Sequence, residues 1–223
     1  MPLEAPVPIS KEEAKARRLL AKNVAAELRG RAKAIGWKVS QGWLFREHNG
    51  WFVEARLSVL TSRPKSTVEL HFKPMSIDPV FWEIMGLESN NSQPLSFRIF
   101  GAFTVGTHEQ ARIELDDTSL DAARLAELML DESHRQFQSL ASAQSVERFA
   151  DHMRECQCRF PAASYLPAIV CALVLLDRRL EARELCQMAL QRKETGGFWD
   201  GPRSKSFIDL ALEWLAKTEP ARH

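Results

Sequence analysis

The sequence predicts an α+β protein, with an N-terminal helix and an antiparallel sheet followed by an all-helical C-terminal half. Three observations carry this. Ser10-Lys11-Glu12-Glu13 forms a capping box ahead of a long helical stretch. Residues 37–72 alternate aromatic or branched residues with polar ones around an Asn-Gly turn. From Ser119 onward the apolar period changes to that of a helix and stays there. The change of period near Asp116-Asp117 divides the chain into a loose tail at 1–10, an α+β domain at 11–117, and a helical domain or layer at 118–223.

Taken in order, the Ser10 hydroxyl is placed to accept from first-turn amides, and Leu20, Val24, Leu28 and Ile35 then recur on one face. Gly36 supplies a stop, so the first helix is expected over 11–35. Trp37 to Val39, Trp43 to Glu47 and Trp51 to Leu60 read as strands. Asn49-Gly50 supplies the positive-φ pair of a type I′ turn between the last two. A turn over 61–66 leads to a strand over Thr67–Phe72, stopped by Pro74. Asp78-Pro79 is expected to be N-cap and N1 of a short helix through Met85, ended by Gly86, with Asn90-Asn91-Ser92 looping out. Leu95–Val105 and Arg112–Leu115 are read as further strands. Helices are then expected over 120–140, 146–156, 165–176, 181–192 and 207–217.

Composition narrows the class of protein. The 223 residues are 45% hydrophobic and 26% charged, enough to build a real core without disulfides or a structural metal. Net charge is +1, so no global field draws the chain onto nucleic acid or an anionic membrane. The longest apolar stretch, 162–176, contains Pro167 and is too short to span a bilayer, and Met1–Ile9 lacks the basic and apolar regions of an export signal. Cysteines at 156, 158, 171 and 186 read as reduced thiols. Together these predict a cytoplasmic protein with no membrane contact.

Leu166, Ile169, Leu173, Ala182 and Ala189, with Asp177-Arg178-Arg179 as the turn, resemble one tetratricopeptide helix pair near 163–194. The chain departs from that pattern at Val170, where a small residue is usual, at Cys186, where an aromatic is usual, and at Glu194 in place of proline. The resemblance implies peptide or protein binding in a helical groove. A helix followed by an aromatic hairpin sheet also looks similar in outline to some small bacterial immunity proteins.

No cluster in the sequence completes a catalytic or metal motif. His152, Cys156 and Cys158 have zinc-binding chemistry but lack a fourth ligand. Asp131-x-x-His134 lacks the second unit a di-metal bundle requires, and a solvated helix face with ion pairs through Glu132 and Arg135 is expected instead. The glycine-rich stretch 196–205 lacks the lysine and preceding strand of a phosphate loop. His71, in a strand, and His108, beside Glu109, are the two histidines of interest. No metal and no cofactor is expected.

The candidate protein-binding residues are Phe198, Trp199 and Arg203 in that glycine-flanked loop, its two rings either packing into the core or meeting a partner. Residues 11–38 carry nine Lys/Arg against three Glu, whereas 109–155 carry eleven Asp/Glu against five Arg. Lys15, Arg18, Lys22, Arg29 and Lys33 form the candidate nucleic-acid stripe. Docking near the acidic helices, or simple solvation, is expected of it, so nucleic acid is not the expected partner. The function expected is protein–protein recognition, as a toxin-neutralising immunity protein, secretion chaperone or adaptor. The alternatives are an enzyme with a dispersed site and a weak nucleic-acid binder.

Overall fold

The computed structural model describes residues 9–40, 42–100, 103–161, 163–202 and 204–218. They gather into two compact units. One draws on the described residues within 9–48, 52–72 and 109–143, the other on those within 49–51, 73–108 and 144–218. The architecture is α+β, an N-terminal helix and a five-stranded antiparallel sheet before the later helices.

In the first unit, α1 (Lys11–Ala34) begins where Glu13 N donates to the Ser10 hydroxyl at 3.1 Å. It buries Val24, Leu28 and Ala32. The sheet runs in chain order: β1 (Lys38–Ser40), β2 (Trp43–His48), β3 (Trp51–Val59), β4 (Lys65–Pro74) and β5 (Ala111–Asp116). Asn49 and Gly50 take φ of 49° and 78°, as a type I′ turn demands. β5 pairs with β4 so that Glu69 faces Arg112 and Leu70 faces Ala111. α4 (Ala122–Ala141) packs against α1 and adds Leu125, Met129 and Phe137 to the core, the Phe137 ring meeting Phe72 at 6.4 Å and Trp37 at 5.9 Å. Arg17 is the cation of α1 that turns inward. Its two terminal nitrogens each lie 2.8 Å from an Asp117 oxygen, and the Ser66 hydroxyl donates to the same carboxylate at 2.5 Å.

The second unit is centred on α6 (Leu166–Leu175), whose residues 166–173 are all buried. An all-round apolar helix must be covered on every side. α2 (Ile77–Met85), α5 (Val146–Arg159) and α7 (Arg179–Gln191) pack on it, and α8 (Phe207–Thr218) packs on α2 and α7. Phe81, Phe149 and Phe207 are wholly buried here.

Several sequence expectations are corrected. Leu95–Val105 is not a strand: a single turn, α3 (Phe97–Phe100), is followed by irregular chain with Phe103 at φ 61°. Side chains take up this segment's backbone groups in place of a ladder. Trp82 Nε1 donates to the Phe103 carbonyl at 2.5 Å, and Lys73 Nζ donates to the Arg98 and Val105 carbonyls at 3.2 and 3.0 Å. Asn90-Asn91-Ser92 is not open loop but part of a 3₁₀ turn over Glu88–Ser92. Asp78 is not the N-cap of α2, since Ser76 holds that position. The Asp78 carboxylate, with no exposed side-chain surface, instead accepts from Lys73 at 2.9 and 3.0 Å, from Arg98 at 2.6 Å and from Val105 N at 2.9 Å. A small hairpin, β6 (Trp199–Asp200) and β7 (Lys205–Ser206), interrupts the helical half.

Candidate functional site

The consecutive helices α5, α6 and α7 leave a hollow of about 490 Å³ on their outer side. Its floor is apolar, built from Leu166, Ile169, Leu185, Met188 and Ala189, and its rim carries Arg154, Gln157, Arg192 and Glu194. The floor is a consequence of helical spacing: Leu185, Met188 and Ala189 lie three and four residues apart on one face of α7. The rim is fixed by polar contacts. Gln157 Oε1 accepts from Tyr165 N at 2.8 Å, and Arg154 is held by Asp151 and Glu181. Met188 is 45% exposed, so an unbranched, deformable apolar side chain lies open to whatever enters. Cys158 stands exposed at the edge, while Cys171 and Cys186 are buried. Burial lifts the Cys186 thiol to about 12, and burial with the Asp78 charge raises Cys171 as well.

A second hollow of about 320 Å³ shares Gln157, Pro161, Leu166 and Glu194 with the first and extends it to Gly196 and Gly197. Gly196, at φ 75°, lies so close to α8 that a Cβ would meet Phe207 at 3.1 Å. That contact fixes the loop leading to the two candidate rings. They divide. Phe198 turns inward, 4.8 Å from Phe81 and 6.1 Å from Phe103, whereas Trp199 is 53% exposed. The period of two in an extended chain sends neighbours to opposite sides, so one residue packs and the next faces solvent. Arg203 lies outside the described residues.

The other candidates stand as follows. His152 Nε2 lies 3.7 Å from Cys156 Sγ, with Cys156 buried and Cys158 exposed. On α4 the helix-face ion pair is formed, Arg135 reaching Glu132 at 2.6 Å, and His134 meets Gln138 at 2.8 Å. His108 Nδ1 lies 3.0 Å from the Tyr165 hydroxyl, with its ring 4.8 Å from Phe160. Among the described residues, the group whose ligand atoms converge within 4.8 Å, as a divalent cation would require, is Glu69, His71 and Glu109. The sequence reading noted His71 but missed this set. The available signal was Glu69-x-His71, which strand alternation places on one face; the third member, Glu109, comes from the irregular chain two residues before β5. Arg112 lies 2.8 Å from Glu69 and 3.9 Å from Glu109, so a positive charge already stands beside two of the three groups.

Lys15, Arg18, Lys22, Arg29 and Lys33 are all exposed on α1. Among the described residues none of the five is paired with an acidic residue. No helix among the described residues is long and apolar enough to cross a membrane. The class defined by fold and site is an α+β chain with a grooved helical unit. No family model, curated protein or solved structure matches it.

Proposed function

We propose that this chain is a protein–protein recognition module that receives a peptide segment of its partner in the groove of α5, α6 and α7. The groove's chemistry is the observation that carries the reading: an open apolar floor bordered by charges of both signs, the pattern of a partner-binding surface more than of a closed reaction chamber. The two hollows share lining residues, so an entering peptide meets one continuous trench. Trp199 stands exposed on the hairpin that follows, the residue type most enriched among interface hot spots. The likeness of α6 and α7 to a tetratricopeptide helix pair supports the same reading. A toxin-neutralising, secretion-chaperone or adaptor role each requires such a surface, and a cytoplasmic setting suits all three.

The test is peptide display on the full chain with a random dodecamer library, followed by binding of the selected peptides to Leu185→Glu and Met188→Glu. Selected peptides should carry apolar anchors and charge. They should lose about tenfold or more in affinity on either variant, and they should slow alkylation of Cys158. Peptides that bind the variants as well as wild type and leave Cys158 alkylation unchanged defeat the proposal.

A further inference from the structure

α1 carries eight cations, and they fall into two groups. Arg17 is spent inside the fold on Asp117, and Arg31 meets Glu27 at 3.2 Å. The remaining six, Lys11, Lys15, Arg18, Lys22, Arg29 and Lys33, are exposed and have no partner among the described residues. Their spacing is not random. At roughly 100° and 1.5 Å per residue they occupy about 60° of the helix circumference along about 33 Å of its axis. Glu27 and Glu13 project from other sides of the helix and do not interrupt the stripe.

Gathering six like charges on one side of a helix is unfavourable unless something anionic relieves it, because i,i+4 pairs of like charge destabilise a helix. The sequence reading left two fates for this face, docking near the acidic helices or simple solvation, and the exposed side chains fit the second. In the structure two of the three acids on α4 are committed locally, Glu127 to Arg124 and Glu132 to Arg135, and among the described residues none of the three, Asp131 included, pairs with a cation of α1. The local field therefore survives despite a net charge of only +1.

We infer that this stripe binds the phosphate backbone of double-stranded DNA without reading its sequence. A single file of cations matches a line of charge, and duplex DNA presents one phosphate per about 1.7 Å of axis, twice the density of a single strand. The stripe contains no aromatic residue on which unpaired bases could stack. It contains no neutral hydrogen-bonding side chain suited to the 2′-hydroxyls by which duplex RNA is recognised. An anionic membrane is the poorer fit, because a surface-bound helix inserts its apolar face, and in α1 that face, Val24, Leu28 and Ala32, is buried in the fold.

The experiment is fluorescence anisotropy of the full chain with a labelled 20-base-pair DNA duplex of arbitrary sequence. Competitors are single-stranded DNA, duplex RNA, poly-glutamate and vesicles containing phosphatidylserine. Contact with four to six phosphates gives a slope of log K against log salt of about −3.6 to −5.4, at about −0.9 per phosphate. A second unrelated duplex should bind within about twofold. The triple variant Lys15→Glu/Lys22→Glu/Arg29→Glu should lose at least tenfold, while Arg31→Gln should bind as wild type. All three positions are exposed, and a far-UV circular dichroism spectrum checks the fold. If the charge reversals unfold the chain, the milder set Lys15→Gln/Lys22→Gln/Arg29→Gln replaces them and should flatten the slope by about 3. A slope shallower than about −1, undiminished binding by the folded variant, or tighter binding of any of the four competitors overturns the inference. Groove variants such as Met188→Glu should leave DNA binding unchanged, so this test and that of the peptide groove fail independently.

Discussion

Replacing Asp78 by Asn tests whether the buried charge cluster of the second unit organises the segment that departs most from its sequence reading. The Asp78 side chain has no exposed surface, Lys73 retains 4% and Arg98 12%. The carboxylate satisfies three donors, on Lys73, on Arg98 and on the Val105 amide. Asparagine keeps one acceptor oxygen, turns an NH₂ toward two cations and removes the charge that offset them. Breaking a buried pair in this way costs about 3–5 kcal/mol. For a chain of this size each kcal/mol shifts the midpoint by about 2–4 °C, so a fall of about 6–20 °C is expected. Urea denaturation followed by tryptophan fluorescence suits the measurement, because Arg98 lies 5.4 Å over the Trp82 ring and Trp82 bonds to Phe103. Adding Lys73→Met to Asp78→Asn removes one stranded cation, and coupled neighbours of this kind differ from additivity by about 0.5–3 kcal/mol. The double variant should therefore be less damaged than the sum of the two single changes. A loss below about 1 kcal/mol for Asp78→Asn, or strict additivity of the pair, would refute the claim that these charges are mutually dependent.

Phe198→Ala should cost about 2–4 kcal/mol, somewhat under a full core truncation because the ring is only half buried, while Trp199→Ala should change stability by less than about 1 kcal/mol; chemical denaturation of the two variants separates packing from display. The Thr118 hydroxyl and amide, with Lys65 adding less, hold the Asp116 carboxyl down to about 2. Its contribution to stability is therefore complete above the unfolded value of 3.8 and is lost as pH falls toward 2, and Thr118→Val should raise the titration midpoint followed by carboxyl-carbon NMR. Elemental analysis of the purified chain should find no stoichiometric metal, since Arg112 already pairs with Glu69 and stands near Glu109, offsetting one of the two carboxylate charges; one equivalent of a divalent ion, lost on His71→Ala, would reverse that expectation.

What was legible in the sequence was whatever local physics decides. The Ser10 cap, the Asn49-Gly50 turn and the αL stop at Gly86 each depend on backbone conformations that few residues tolerate, and each stands where its residue type placed it. Residues 95–105 misled for the opposite reason. Their apolar run has the composition of a strand, but Trp82, Lys73 and Asp78, at least thirteen residues earlier in the chain, take up their backbone groups, and no local rule contains that competition. The same division runs through the candidate sites. Phe198 and Trp199 were visible as a pair, yet which ring would pack depended on Phe81 and Phe103 from distant segments. The groove was half visible, since helix period places Leu185, Met188 and Ala189 on one face, but the opposing wall comes from α5 and required the packing of three helices. The basic stripe needed only one helix, so its geometry could be read directly from spacing; what spacing could not say was whether acids would cover it. That is a question about ion pairs between elements, and part of its answer lies in Glu127 and Glu132 bonding to arginines three residues along their own helix. Because i,i+3 neighbours on a helix meet at no cost in loop closure, such local pairs form ahead of distant ones, and a basic face elsewhere on the protein is left to find its anion in solution.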